Sequence, residues 1–225
     1  TGILVENGGR GIEITGNTVA DTDYGIRVTN SSQITVAENE VSRCRYSGIH
    51  IQDAYQTTIR QNQASHNGGS GILLVSTTAD PAPSLSVAEG NVCRGNGAAG
   101  IYACRTPHIS LTRNVCLENA LHGIALESSY IPLTANSLLD NRYDGLRVYA
   151  AEPSTARPLT GIVAHGNSLL GNQRYGLYTE AAAPVDATGN WWGRNLPRVG
   201  TDVVGNVDYN PWMALSLRAD PQEVP

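Results

Sequence analysis

Within IYACRTPHIS (residues 101–110), Tyr102, Arg105 and His108 place a phenol, a guanidinium and an imidazole close together. Glu127 and Tyr130 follow in LESSYIP, and Arg147 in GLRVYA. Tyrosine rings stack on sugar faces. An arginine fork takes a carboxylate, such as that of a uronate, through two parallel hydrogen bonds. Histidine or tyrosine set beside an activated C–H can remove its proton. Asp80, Glu152 and Arg157 add carboxylates and a further guanidinium in VSTTADPAPSLS and YAAEPSTARPLTG. Together these residues suit an acidic or neutral polysaccharide. Each is also an ordinary solvated turn residue, so the chemistry depends on whether the fold gathers them.

Other groupings are sparser. DTDYG holds Asp21 and Asp23, the densest acidic spot, which together with Glu40 could bind calcium through oxygen ligands. Aspartate is equally a normal turn former. No other cofactor is implied. His50, His66, His122 and His165 fall on different coils and faces of the repeat described below, so no histidine metal site is expected. The spacing of Cys44, Cys93, Cys104 and Cys116 fits neither a zinc pattern nor a CxxC redox motif. Asn30-Ser31-Ser32 matches a glycosylation sequon and reads as a turn. The net charge is -5, and all 15 basic residues are arginine. Nucleic acid is therefore not the expected partner, because phosphate binding needs a basic surface. No stretch approaches the roughly 20 apolar residues of a membrane-spanning helix.

The elements that must position these side chains repeat. Gly2, Gly25, Gly48, Gly71, Gly100, Gly123, Gly145 and Gly176 each open a Gly-aliphatic unit, in steps of 23, 23, 23, 29, 23, 22 and 31 residues. Asn17, Asn39, Asn62, Asn91, Asn114, Asn136, Asn167 and Asn190 close the next apolar run, in steps of 22, 23, 29, 23, 22, 31 and 23. The two markers keep one period and lengthen in the same places. Each unit holds short runs with strand alternation, such as Ile49/Ile51 and Ile34/Val36, and no helix-length pattern. A unit this small cannot bury its own face and must stack on its neighbours. The predicted fold is all-β: a parallel solenoid of about eight coils, each of about 23 residues, and roughly 38 Å long at the spacing of paired strands.

The asparagine column fits this picture. Asparagine tolerates left-handed backbone at a corner, and stacked amides can hydrogen-bond along a column. A second column follows at Asn67, Asn96, Asn119, Asn141 and Asn172, with Cys44 in the equivalent place of the second coil. Two residues after the first column lies an inward position: Val19, Val41, Ala64, Cys93, Cys116, Leu138, Leu169 and Trp192. Cys93 and Cys116 thus stack in the core as small hydrophobes; a disulfide between them is the alternative.

The two long steps place insertions near residues 75–86 and 149–161 on one edge of the rod, three coils or roughly 14 Å apart. Loops on a rigid scaffold carry binding sites. The candidate cleft lies between them, with Asp80, Glu152 and Arg157 on its walls. Its floor carries Tyr102, Arg105, His108, Glu127 and Tyr130, with Arg147 nearby. Outward positions of the first strand form a mixed column: Arg27, His50, Leu73, Tyr102, Ala125, Arg147 and Tyr178.

The Gly-Ile-x-Ile…Asn grammar of residues 2 to about 193 resembles right-handed parallel β-helix repeats of the NosD-like and pectate-lyase-like kind, in bacterial secreted or surface proteins. GNWWG, GNV and YNPW, with Trp192 and Trp212, resemble the C-terminal cap of such domains. A solenoid end exposes apolar cross-section and unpaired edges, so a cap has a physical task. Three motif sets of enzymatic relatives do not map: the paired aspartates, Gly-His-Gly and Arg-x-Lys of polygalacturonases, the acidic cluster of pectate lyases, and the Asp-Pro-His of alginate epimerases. TPHIS keeps the proline and histidine without the acid.

The expected organisation is coils over 1–193, a cap over 194–216, and a linker over 217–225 leading to a possible following module. The resemblance implies a secreted, periplasmic or cell-surface location. The expected function is a rigid extracellular module, structural or binding a polysaccharide or cell-surface glycan. A polysaccharide lyase or C5-epimerase working between the loops is one alternative. A filament or adhesin building block is the other, self-associating or adding further coils at its N-terminal end.

Overall fold

The computed structural model describes residues 1–78, 83–150 and 159–215. The described residues form a parallel β-solenoid without helices. Two sheets have nine strands each and a third has six. One coil illustrates the plan: Ile101–Cys104 enters the first sheet, Ser110–Thr112 the second and Val115–Leu117 the third. Each strand pairs in parallel with its counterpart one coil away, without offset. Ile26, Ile49, Ile72, Ile101, Ile124, Leu146 and Leu177 are successive register partners. All but Leu146 are completely inaccessible to solvent, and Leu146 is 99% buried. Each such side chain contributes about 1.5–3 kcal/mol over its exposed state.

The opening glycine has a steric cause. A Cβ at Gly100 would lie 2.7 Å from the carbonyl oxygen of Gly123, and one at Gly25 only 2.6 Å from that of Gly48. Any side chain here collides with the next coil's backbone.

The asparagines form two continuous ladders. The Oδ1 of Asn114 accepts the backbone N–H of Asn91 at 3.0 Å and its side-chain amide at 3.0 Å, while Asn114 Nδ2 donates to Ala88 O at 2.8 Å. This pattern runs from Asn17 to Asn190, and in the second column from Asn67 to Asn172. Cys44 joins the second ladder through its backbone N–H, which donates to Asn67 at 3.0 Å. One expectation is corrected. The left-handed residue at each corner is not the asparagine but its predecessor: Glu38, Gln61, Gly90, Arg113 and Ala135 in the first column, and His66, Gly95, Glu118 and Asp140 in the second. That inversion turns the preceding side chain outward and leaves the asparagine pointing inward, where its amide meets the carbonyls of the previous coil.

Cys93 and Cys116 are register partners, fully buried and unbonded. Trp192 closes the stack at the inward position, 3% exposed. Beyond it, Val203–Val204 and Val207–Asp208 add a last rung to the first and second sheets. Tyr209 stacks on Trp212, whose indole N–H donates to Asn195 O.

Candidate functional site

The outer face of the first sheet carries the chemistry. Its register column reads Arg27, His50, Leu73, Tyr102, Ala125, Arg147, Tyr178. Strand side chains alternate between faces. The residues three places earlier, just before each opening glycine, border the same face by contact: Tyr24 lies against His50, His122 against Tyr149 and Tyr175 against Tyr178, and Ser70, Ala99 and Asp144 hold the same position. The residue two places later adds Gln52, Val75, Cys104 and Glu127, with Tyr149 and Glu180 continuing the row.

In the C-terminal half these rows converge. Asp144 is completely buried, and neither carboxylate oxygen makes a hydrogen bond. Charge compensates instead: Asp144 Oδ2 lies 3.2 Å from His122 Nδ1 and 3.8 Å from Arg147 Nη1. The backbone N–H of Asp144 also points at His122 Nδ1, at 3.3 Å. One nitrogen cannot serve both groups. A neutral ring with Nδ1 free accepts the amide; a ring protonated at Nδ1 donates to the carboxylate. On its far side, His122 Nε2 sits 3.2 Å from the Tyr149 hydroxyl. Asp144, His122 and Tyr149 thus line up from a buried carboxyl to a half-exposed phenol, and form a relay in the tautomer that carries the proton on Nδ1; burial raises the phenol's pKa above 10.0.

Arg147 joins this relay to the aromatic rows. Its guanidinium lies 4.0 Å over the Tyr178 ring and 4.8 Å from that of Tyr149, and it donates to Glu180 at 2.6 Å. Next to it, Tyr102 donates to Glu127 at 2.7 Å, and the Cys104 thiol points at the same oxygen at 2.9 Å. Burial, then the Glu127 hydrogen bond, raises the Tyr102 phenol well above its usual range and pushes the Cys104 thiol up to about 11. Both remain protonated donors at neutral pH.

The nine residues named from sequence are thus divided. Tyr102, Glu127 and Arg147 share the sheet face. His108 and Tyr130 stack on each other at 4.7 Å on the turn leading to the second sheet. Arg105 occupies that turn with φ of 52°. Asp80, Glu152 and Arg157 lie outside the described residues, as do the tips of both long loops. Asp21 accepts from Arg43 at 2.7 Å, and Asp23 faces Arg45 at 4.0 Å, so arginine cations meet both carboxylates. Glu40 lies in a third-sheet strand. Among the described residues no three His, Cys, Asp or Glu side chains gather for a metal. Two histidines expected on different faces, His50 and His122, in fact share this one. The sequence reading missed His122, Asp144, Tyr149 and Glu180. Extending the strand alternation two residues onward would have found Tyr149 and Glu180; His122 and Asp144 stand just before an opening glycine, three residues before the column, where alternation does not reach.

The fold and this face define a parallel β-solenoid with a polar, aromatic outer sheet. The right handed beta helix region family model matches residues 1–157, and the chain belongs to that family. Among solved structures, the crystal structure of the periplasmic alginate epimerase AlgG superposes with a TM-score of 0.60 at 21% identity, over 92% of this chain and 46% of that one. The A-module of the Azotobacter vinelandii mannuronan C-5 epimerase AlgE6 gives 0.64 at 15% identity, over 90% and 57%. That of AlgE4 gives 0.61 at 16%, over 92% and 65%. This chain spans about half the length of AlgG. At these identities the likeness is one of fold. A search of curated proteins finds no match.

Proposed function

We propose that this chain is a secreted or periplasmic module that binds an extended, uronic-acid-containing polysaccharide on the outer face of its first sheet. The observation that carries this is the cluster around Arg147, a guanidinium buried between two tyrosine rings and held by an exposed carboxylate, Glu180. A uronate carboxylate could take the place of Glu180, while Tyr178 and Tyr102 offer ring and hydroxyl to the sugar. That several similarly folded proteins are named as alginate or mannuronan epimerases supports the class of ligand.

The Asp144–His122–Tyr149 relay favours a second reading on the same face, proton transfer at the carbon next to the uronate carboxylate. The C5 proton would pass to the Tyr149 oxygen as the phenol's own proton moves to His122 Nε2, and the electron pair of the C5–H bond would pass into the carboxylate. A proton returned to the opposite face gives epimerisation. Departure of the C4 glycosidic oxygen gives elimination.

One experiment separates these. The protein is incubated in D2O with alginate, pectate and a neutral glucan, and retention on each polymer is measured beside NMR of C5 deuteration. Retention on the uronans, lost in Tyr178→Ala and Arg147→Gln, supports binding. Deuteration lost in Tyr149→Phe supports proton transfer. Absence of retention on every polymer sinks both.

A further inference from the structure

The same face carries a second cluster that the site above does not use. Tyr24 and Tyr46 lie 5.0 Å apart, Tyr24 covers His50 at 5.2 Å, and the Arg27 guanidinium sits 5.2 Å over the Tyr24 ring. His50 is only 7% exposed, and neither ring nitrogen has a hydrogen-bond partner. Arg27 Nε is buried and unpartnered too. Arg27 forms no ion pair among the described residues; its one hydrogen bond reaches Gln52 at 3.4 Å. Buried polar atoms left unpaired are costly, and a ligand's hydroxyls or carboxylate would relieve that cost.

The two clusters are built on the same positions of the coil. Tyr46 and Tyr143 both stand two residues before the opening glycine, and Tyr24 and Tyr175 one residue before it. Between them, the fourth and fifth coils put Gly69 and Ala98, then Ser70 and Ala99, in those places. In the sixth coil the same two places hold Leu121 and His122, and Leu73 and Tyr102 lie alongside the strip. Five register steps separate Arg27 from Arg147, roughly 24 Å at the spacing of paired strands.

We infer that Tyr24, Arg27, Tyr46 and His50 form a second anionic-sugar station, and that one polyuronate chain lies along the solenoid axis and engages both stations. This rests on the polysaccharide reading above and adds direction and length to it. Arg27 takes a carboxylate, and the Tyr24 and Tyr46 rings offer stacking faces. A chain long enough to reach both stations binds the second intramolecularly, so affinity climbs steeply at one length.

The test is affinity against chain length. Oligouronides from alginate, dimer to dodecamer, are titrated calorimetrically into the wild type, Arg27→Gln and Tyr46→Ala, with melting curves confirming that each variant is folded. The expected result is a sharp rise in wild-type affinity at intermediate length. Both variants should match the wild type for short oligomers and lose about tenfold for long ones. Long oligomers bound equally by wild type and variants overturn the second station while leaving the first. An equal loss at every length also overturns it, by making the clusters one site. No binding at any length refutes the polysaccharide reading and this inference together.

Discussion

Asp144 and His122 stand 3.2 Å apart on the outer face of the first sheet, the carboxylate fully buried and the imidazole 6% exposed. A sheet face that meets solvent rarely buries a charge. The carboxylate stays because Arg147 and His122 flank it, and because the rows on either side wall it off.

Removing the counter-charge should therefore cost more than removing the outer partner. Arg147→Met leaves Asp144 buried without its guanidinium and should lower stability by about 3 kcal/mol or more. Glu180→Gln removes only the charge of the exposed partner and leaves an amide oxygen to accept from Arg147, so it should cost less, about 1 kcal/mol. Denaturant midpoints of the two variants check the order; an equal loss would mean that Asp144 does not depend on Arg147.

His50 predicts an acid-sensitive component of stability. Burial, with the nearby Arg27 charge second, lowers its pKa from 6.5 to about 4. The unfolded chain then takes up this proton at higher pH than the folded one. The contribution is complete above 6.5, declines as pH falls below it, and is lost by about 4. Asp21, held below 3.8 by its hydrogen bond from Arg43, responds only at lower pH. The melting temperature of the wild type should fall across the His50 window, and that of His50→Leu should fall less. Parallel curves would remove His50 as the cause.

The ladders should be most sensitive at their centre. Asn114→Ala strands the backbone N–H and amide of Asn91 and the carbonyl of Ala88, all buried. Each orphaned group costs about 1–3 kcal/mol. Asn17, the first rung of the column, accepts no bond from an earlier asparagine in this chain, and Asn17→Ala should cost far less. Thermal unfolding of both variants distinguishes a cooperative column from isolated contacts.

Gly100→Ala tests the opening glycine. Its Cβ would meet both the Gly123 carbonyl oxygen and the Cys116 Cβ at 2.7 Å. The loss should reach about 1–3 kcal/mol, the range for overpacking. Ala98→Ser, two residues earlier and partly exposed, should be nearly silent. A well-tolerated Gly100→Ala would mean that the coils can separate locally.

The thiols offer a solvent-access check. Cys93 and Cys116 are inaccessible, and burial raises the Cys116 pKa well above 9.0. Cys104 is held protonated beside Glu127. Native protein should therefore resist alkylation at pH 8, a condition of ordinary thiol labelling, and react fully after unfolding. Rapid native labelling of Cys104 would show that its contact with Glu127 is not kept in solution.

The sequence alone determined the coil, its period, the inward aliphatics and the asparagine columns, because every coil must offer the same inward pattern to the next. Those constraints are local and repeated, so they are written at fixed spacing. It did not reveal why glycine opens each strand, which is the approach of the neighbouring coil's carbonyl, nor that the corner inversion falls on the residue before each asparagine. The candidate site was legible only in part. Tyr102, Glu127 and Arg147 could be named, but His108 and Tyr130 turn away onto another edge. His122, Asp144 and Tyr149 meet only because stacking places positions 22 and 27 residues apart within hydrogen-bonding distance. Outward residues are free of the repeat's inward constraint, so their pattern carries no period to read. Their partners were chosen by which coils stack and which side chains share a face, and that is decided by the tertiary structure.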